Sequence, residues 1–96
     1  MRVISQKGMP VMTDIPYEKV VISQSMIEPN KIVAWDFFGG EDNIILMAEY
    51  SAPEKAEKAM QKLHDRYEYI WECANGFGVY HKIDTVVFRF PQDDEL

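Results

Sequence analysis

The sequence predicts a single α+β domain, a small antiparallel β-sheet of about five strands packed against one long α-helix. Three observations carry that reading. Ser51-Ala52-Pro53-Glu54 has the form of a helix start: Ser51 can cap the first free amides, Pro53 already holds helical φ, and Glu54 can reach back to complete a capping box. Behind it, Ala56, Ala59, Met60, Leu63, Tyr67, Ile70 and Trp71 recur at helical period and form an apolar stripe. The rest of the chain is divided into short runs of β-branched and aromatic residues separated by Gly, Pro, Asn and Asp, which is the composition of strands and turns. With 96 residues, 47% of them hydrophobic, there is material for one core and not for two.

Met1–Ser5 is predicted as the first strand and Lys7-Gly8 as a turn. Met9–Thr13, interrupted by Pro10, reads as a loop. Asp14–Glu18 reads as a tight connection, because Pro16 lacks the amide that a central strand position requires. Val20–Ser23 is β-branched and strand-like, Glu28-Pro29-Asn30 is a turn, and Lys31–Phe38 is a strand. Gly39–Asp42 is a hairpin loop and Asn43–Tyr50 the next strand, so Val20–Tyr50 forms a three-stranded meander. The helix runs from about Ala52 to about Ala74 and stops at Asn75-Gly76, or ends earlier near Arg66 with a break before Glu72. Phe77–Ile83 is a short strand weakened by Gly78, Asp84 a turn, and Thr85–Phe90 a strand ended by Pro91. Residues 1–96 form one domain, and residues 91–96 are expected to be a mobile acidic tail.

Charge and composition exclude several function classes. The formal net charge is -6, from 16 acids against 10 Lys plus Arg, the wrong sign for a protein that tracks phosphate backbones non-specifically. An acidic body suits solubility or docking on a basic protein surface. Cys73 is the sole cysteine, so no intrachain disulfide forms, which fits a reducing cytoplasm. The opening residues carry no signal-peptide pattern, and the longest apolar run, Ile44–Ala48, is far too short to span a membrane. His64 and His81 have no partner at metal-ligand spacing, and no phosphate-binding loop, dinucleotide-binding glycine pattern or nucleophile elbow is present. No cofactor, no metal and no catalytic activity are expected. Apolar residues on both sides of the 31–38 strand, Val33-Trp35-Phe37 against Ile32-Ala34, suggest that a second copy covers the outer sheet face, giving a homo-oligomer.

Three stretches carry a resemblance over the whole chain: Met1-Arg2-Val3-Ile4-Ser5-Gln6-x-Gly8 followed by Asp14-Ile15-Pro16-Tyr17-Glu18; Ala48-Glu49-Tyr50-Ser51-x-x-Glu54-Lys55-Ala56-x-Lys58-Ala59-Met60-x-x-Leu63; and Phe88-x-Phe90-Pro91-x-Asp93-Asp94-Glu95. In these the chain resembles a widespread group of small accessory proteins carried by phages, prophages and mobile elements of Gram-positive bacteria. It departs from the group at Lys7, where an acid is usual, and at Met9–Thr13, which is longer than the usual connection. The resemblance implies a phage-encoded protein acting in the host bacterial cytoplasm, where such accessory proteins often counter host defence. Two routes follow. One is a non-catalytic sponge that sequesters a small anionic nucleotide signal. The other is an acidic inhibitor that occupies the surface of a host defence nuclease; an architectural interaction protein is a third class.

A sponge needs aromatic faces for base stacking and a few cations for phosphate. Trp35, Phe37, Tyr17 and Phe90 supply candidate faces, and Arg2, Lys7 and Arg89 candidate charges. If the first and last strands pair, Arg2 and Arg89 can converge. The inhibitor reading draws instead on Glu41-Asp42, Glu49, Glu54, Glu57, Asp65, Glu68 and the acidic C-terminal segment.

Overall fold

The computed structural model describes residues 1–36, 44–76 and 86–96. Among these the fold is α+β, with one helix and two three-stranded sheets. Strands β1 (Arg2–Ile4), β2 (Asp14–Pro16) and β6 (Val87–Arg89) form the first sheet in the order β2-β1-β6. Strands β3 (Val20–Gln24), β4 (Lys31–Asp36) and β5 (Ile45–Glu49) form the second in the order β3-β4-β5. Helix α1 (Pro53–Gly76) packs on β3 and β4. The expected hairpin loop at 39–42, the strand at 77–83 and the turn at Asp84 lie outside the described residues.

The second sheet is the predicted antiparallel meander, with Val21 opposite Trp35, Ile22 opposite Ala34 and Ile32 opposite Ala48. Side-chain alternation along β4 sends Ile32 and Ala34 into the core, fully buried, and leaves Val33 and Trp35 half-buried on the other face. The buried side meets Ala56, Ala59 and Leu63 of α1 in one hydrophobic core. Two alanines in the first turns leave room for the helix to lie close on β3 and β4. The helix continues without a break to Gly76.

The first sheet differs from expectation in three ways. Asp14–Pro16 is a strand rather than a connection, and Pro16 fits there because β2 is an edge strand whose missing amide faces away from the ladder. The first and last strands do pair, but parallel, Val3 opposite Phe88 and Ile4 opposite Arg89. Helix α1 lies between β5 and β6 in the chain, and β6 runs in the same direction as β1. The single five-stranded sheet is thus two short sheets.

Gln6 joins them. It is buried, and its backbone amide donates to the Met47 carbonyl at 2.7 Å. Its side-chain oxygen accepts the Glu49 amide at 3.0 Å, and its side-chain nitrogen donates to the Pro91 carbonyl at 3.0 Å. The β4–β5 register shifts between Ile32 and Val33, so that Met47 is the extra residue of a bulge. The bulge lets Met47 and Ala48 both be buried and leaves the Met47 carbonyl for Gln6.

The C-terminal residues, expected as a mobile tail at 91–96, make specific contacts in the structure. Tyr50 donates its phenol hydrogen to the Pro91 carbonyl at 2.8 Å, Gln92 donates to the Lys7 carbonyl at 3.0 Å, and Asp93–Glu95 form a 3-10 turn with its own capping box. Asp93 also binds the segment that leads into the helix. Its carboxylate accepts the Ser51 amide at 2.7 Å and the Lys55 ammonium at 3.0 Å, while the Ala52 carbonyl accepts the amides of Lys55 and Ala56. A carboxylate near this end complements the positive end of the helix dipole.

Two predictions follow from these contacts. Gln6→Leu keeps side-chain volume but removes the acceptor of the Glu49 amide and the donor to the Pro91 carbonyl, both part-buried bonds, so it destabilises by about 1–3 kcal/mol in denaturant unfolding. The Ser51 amide and then Lys55 hold the Asp93 carboxyl below its ordinary value of 3.8. A depressed folded-state pKa gives stability that is present above the ordinary value and lost as pH falls through the lower one. Wild-type melting temperature is therefore expected to drop more steeply than that of Asp93→Asn between about pH 4 and about pH 2.

Candidate functional site

The residues nominated for a nucleotide site do not gather in one place. Arg2 and Arg89 lie on adjacent strands and share the outer face of the first sheet, both exposed. Arg2 is engaged there: its guanidinium forms a two-pronged pair with Asp14, Nε donating to Oδ1 at 3.0 Å and Nη2 to Oδ2. Ile4 sits between Asp14 and Arg89 across the ladder. Lys7 is exposed in the β1–β2 loop beside Gln92, beyond the end of that face.

Two of the aromatic candidates, Phe90 and Tyr17, are used for packing. Phe90 is 1% exposed and makes an edge contact with Phe88, ring centroids 5.4 Å apart, so it offers no face for stacking. That corrects its assignment as a platform. Tyr17 packs at 4.5 Å between centroids against Tyr67 of α1, and burial, then Tyr67 and Glu18, push its phenol pKa up. Trp35 belongs to the second sheet, on the side away from the core. Phe37 lies outside the described residues. His64 is exposed and sits 3.0 Å from Glu68 one turn along α1. Among the described residues no group of three or more His, Cys, Asp or Glu is placed to hold a metal ion, and no helix is long and apolar enough to cross a membrane.

A different region has the character of a binding surface. β1, β5 and β6 all run toward one end of the molecule, and α1 starts there. The β1–β2 loop, the β3–β4 loop, the start of α1 and the C-terminal turn meet at this end through hydrogen bonds. Gln92 reaches the Lys7 carbonyl, Asn30 and Tyr50 exchange bonds of 2.9 and 3.0 Å, Gln24 reaches the Pro53 carbonyl at 3.3 Å, and Asp93 reaches Ser51. Carboxylates of Glu28, Glu49, Glu54, Asp93, Asp94 and Glu95 stand around this end with Lys7, Lys31 and Lys55. Two of those lysines are occupied, Lys31 by Glu28 at 2.7 Å and Lys55 by Asp93 at 3.0 Å. The surplus is negative.

The same end exposes large apolar side chains. Met26 is 100% exposed and Ile27 92%, both at the tip of the β3–β4 hairpin; Val11 and Met12 are exposed in the β1–β2 loop. Sequence reasoning passed over Met26 and Ile27. The available signal was an apolar pair inside Ser25–Asn30, a segment otherwise built of turn residues.

Comparison with models of known protein families, with curated proteins and with solved structures finds no match.

The Arg2–Asp14 pair is half in water, so its coupling is expected to be about 1 kcal/mol or less. A double-mutant cycle of Arg2→Ala and Asp14→Ala in thermal unfolding measures it, and the coupling should shrink further in high salt.

Proposed function

We propose that this chain is a phage-encoded anti-defence protein that works without catalysis in the host cytoplasm, by docking its acidic, loop-bearing end on a basic surface of a host protein. A defence nuclease, whose nucleic-acid channel is positively charged, is the partner class that fits. The phage and anti-defence part draws on the resemblance of the termini and the central helix. The docking part rests on one observation: a single end combines the carboxylate surplus with fully exposed Met26 and Ile27. A negative rim steers association with a positive surface, and apolar side chains that leave water supply the short-range affinity.

The protein-docking reading is preferred over a nucleotide sponge because the cations and rings nominated for a sponge are divided between separate surfaces, with Arg2 engaged by Asp14 and Phe90 in the core. Stacking and phosphate contact have to act on the same ligand.

The two readings separate in one set of measurements. The purified protein is expected to form a complex with a defence nuclease of a Gram-positive host, detected by calorimetry, with affinity falling steeply as the screening length shrinks from about 10 Å at 0.1 M salt to about 3 Å at 1 M. Charge reversal of Asp94, which is exposed, to Lys is expected to weaken that complex while the melting temperature of the free protein holds. A rise in melting temperature with cyclic dinucleotides, together with no nuclease complex, would replace this proposal by the sponge.

A further inference from the structure

We infer that the β3–β4 hairpin tip is a preformed anchor, in which Met26 and Ile27 insert into an apolar pocket bordered by Lys or Arg on the partner protein. The inference rests on the docking reading above and names the contact that supplies its affinity. Isolated exposed apolar residues are ordinary on protein surfaces. This pair is different because it is adjacent, almost wholly in water, and mounted on a segment that is pinned at every other point. Ser25 Oγ accepts the amides of Ile27 and Glu28 at 3.3 and 3.1 Å. The Ser25 amide donates to the Lys31 carbonyl and the Lys31 amide to the Glu28 carbonyl, each at 2.9 Å. Gln24 donates to the Pro29 carbonyl at 2.9 Å, and Asn30 is bonded to Tyr50. Met26 and Ile27 are the large apolar side chains that this frame leaves exposed.

Such a tip cannot fold back to hide its side chains without breaking those bonds. Rigid presentation removes part of the ordering cost of association, and a few anchors at the centre of an interface carry most of its affinity. Met is unbranched and adapts to the shape of a pocket, while Ile is stiff and fixes direction. The β1–β2 loop also exposes Val11 and Met12, but it has fewer internal bonds and so is the adaptable border rather than the anchor.

Charge selects the occupant. Glu28, paired with Lys31, is next to the tip, and Glu49 and Glu54 stand behind it on β5 and α1, so the surplus there is negative. Two copies meeting tip to tip would bring these carboxylates together. An anionic bacterial lipid surface would repel them. A pocket with a cationic border satisfies both the apolar tip and its acidic surroundings.

The test compares wild type, Met26→Asp with Ile27→Asp, and Val11→Asp with Met12→Asp against a panel of purified defence nucleases with basic channels. All three proteins should melt alike, because none of the altered side chains is in the core. The tip variant is expected to bind about 30-fold or more weakly, and the loop variant less than about 5-fold more weakly. Hydrogen exchange on the bound nuclease should protect an apolar segment flanked by Lys or Arg. Equal binding by wild type and the tip variant would overturn the anchor and leave the docking reading standing. The absence of any nuclease complex would overturn both readings. So would self-association in sedimentation, or binding to phosphatidylglycerol vesicles, that only the tip variant loses.

Discussion

Gln6 is the residue on which the arrangement of this molecule depends. The two sheets share no ladder among the described residues, and a buried primary amide makes the join. An amide carries a donor and an acceptor a fixed distance apart, so it can bridge one backbone amide and one backbone carbonyl at once. Here it takes the Glu49 amide and gives to the Pro91 carbonyl, while its own backbone amide reaches Met47. A glutamate at this position would lose the donor, and a methionine would lose both. In the buried setting each group left alone carries a desolvation cost, so the join specifies one docking of the sheets rather than merely favouring it.

That join reaches the loop-bearing end through a short series of bonds. Pro91, held by Gln6, also accepts the Tyr50 hydroxyl. Burial, with Asp93 and Glu95 nearby, pushes the Tyr50 phenol well up, so it stays a donor. Tyr50 is bonded to Asn30 at the base of the β3–β4 hairpin, and the residue after it, Ser51, is bonded to Asp93. The hairpin base, the helix start and the C-terminal turn are thus joined to one another by hydrogen bonds between side chains and backbone and by packing of the Tyr50 ring in the core. Pre-organisation of this kind raises affinity where a surface must meet a partner in one orientation.

The helix and the meander were legible because each is written in local pattern. The apolar stripe from Ala56 to Tyr67 has period 3.6, and the β-branched run Val20–Ile22 is followed by a Pro-Asn turn. What was not legible depends on partners distant in sequence. Asp14–Pro16 is a strand only because Arg2–Ile4 is beside it, and three residues around a proline carry no strand signal of their own. The C-terminal turn looks like a polar tail until Lys55, Ser51 and Lys7 are brought to it. Ser51 and Glu54 have the form of a capping pair, yet the carboxylate that meets Ser51 comes from Asp93.

The candidate nucleotide site shows a further lesson, one that strand geometry already contains. Neighbouring residues in a strand point to opposite faces. In Val87-Phe88-Arg89-Phe90 the rings of Phe88 and Phe90 therefore face one way and Arg89 the other, and the structure has Phe90 buried with Arg89 exposed. Adjacent aromatic and cationic residues in a strand cannot serve one ligand from one face. A turn has no such alternation: consecutive side chains at a pinned tip can point into the same half-space, as Met26 and Ile27 do in being exposed together. In a domain this small, where each sheet must spend one face on the core, loops are the places where two neighbouring residues can act jointly on a partner.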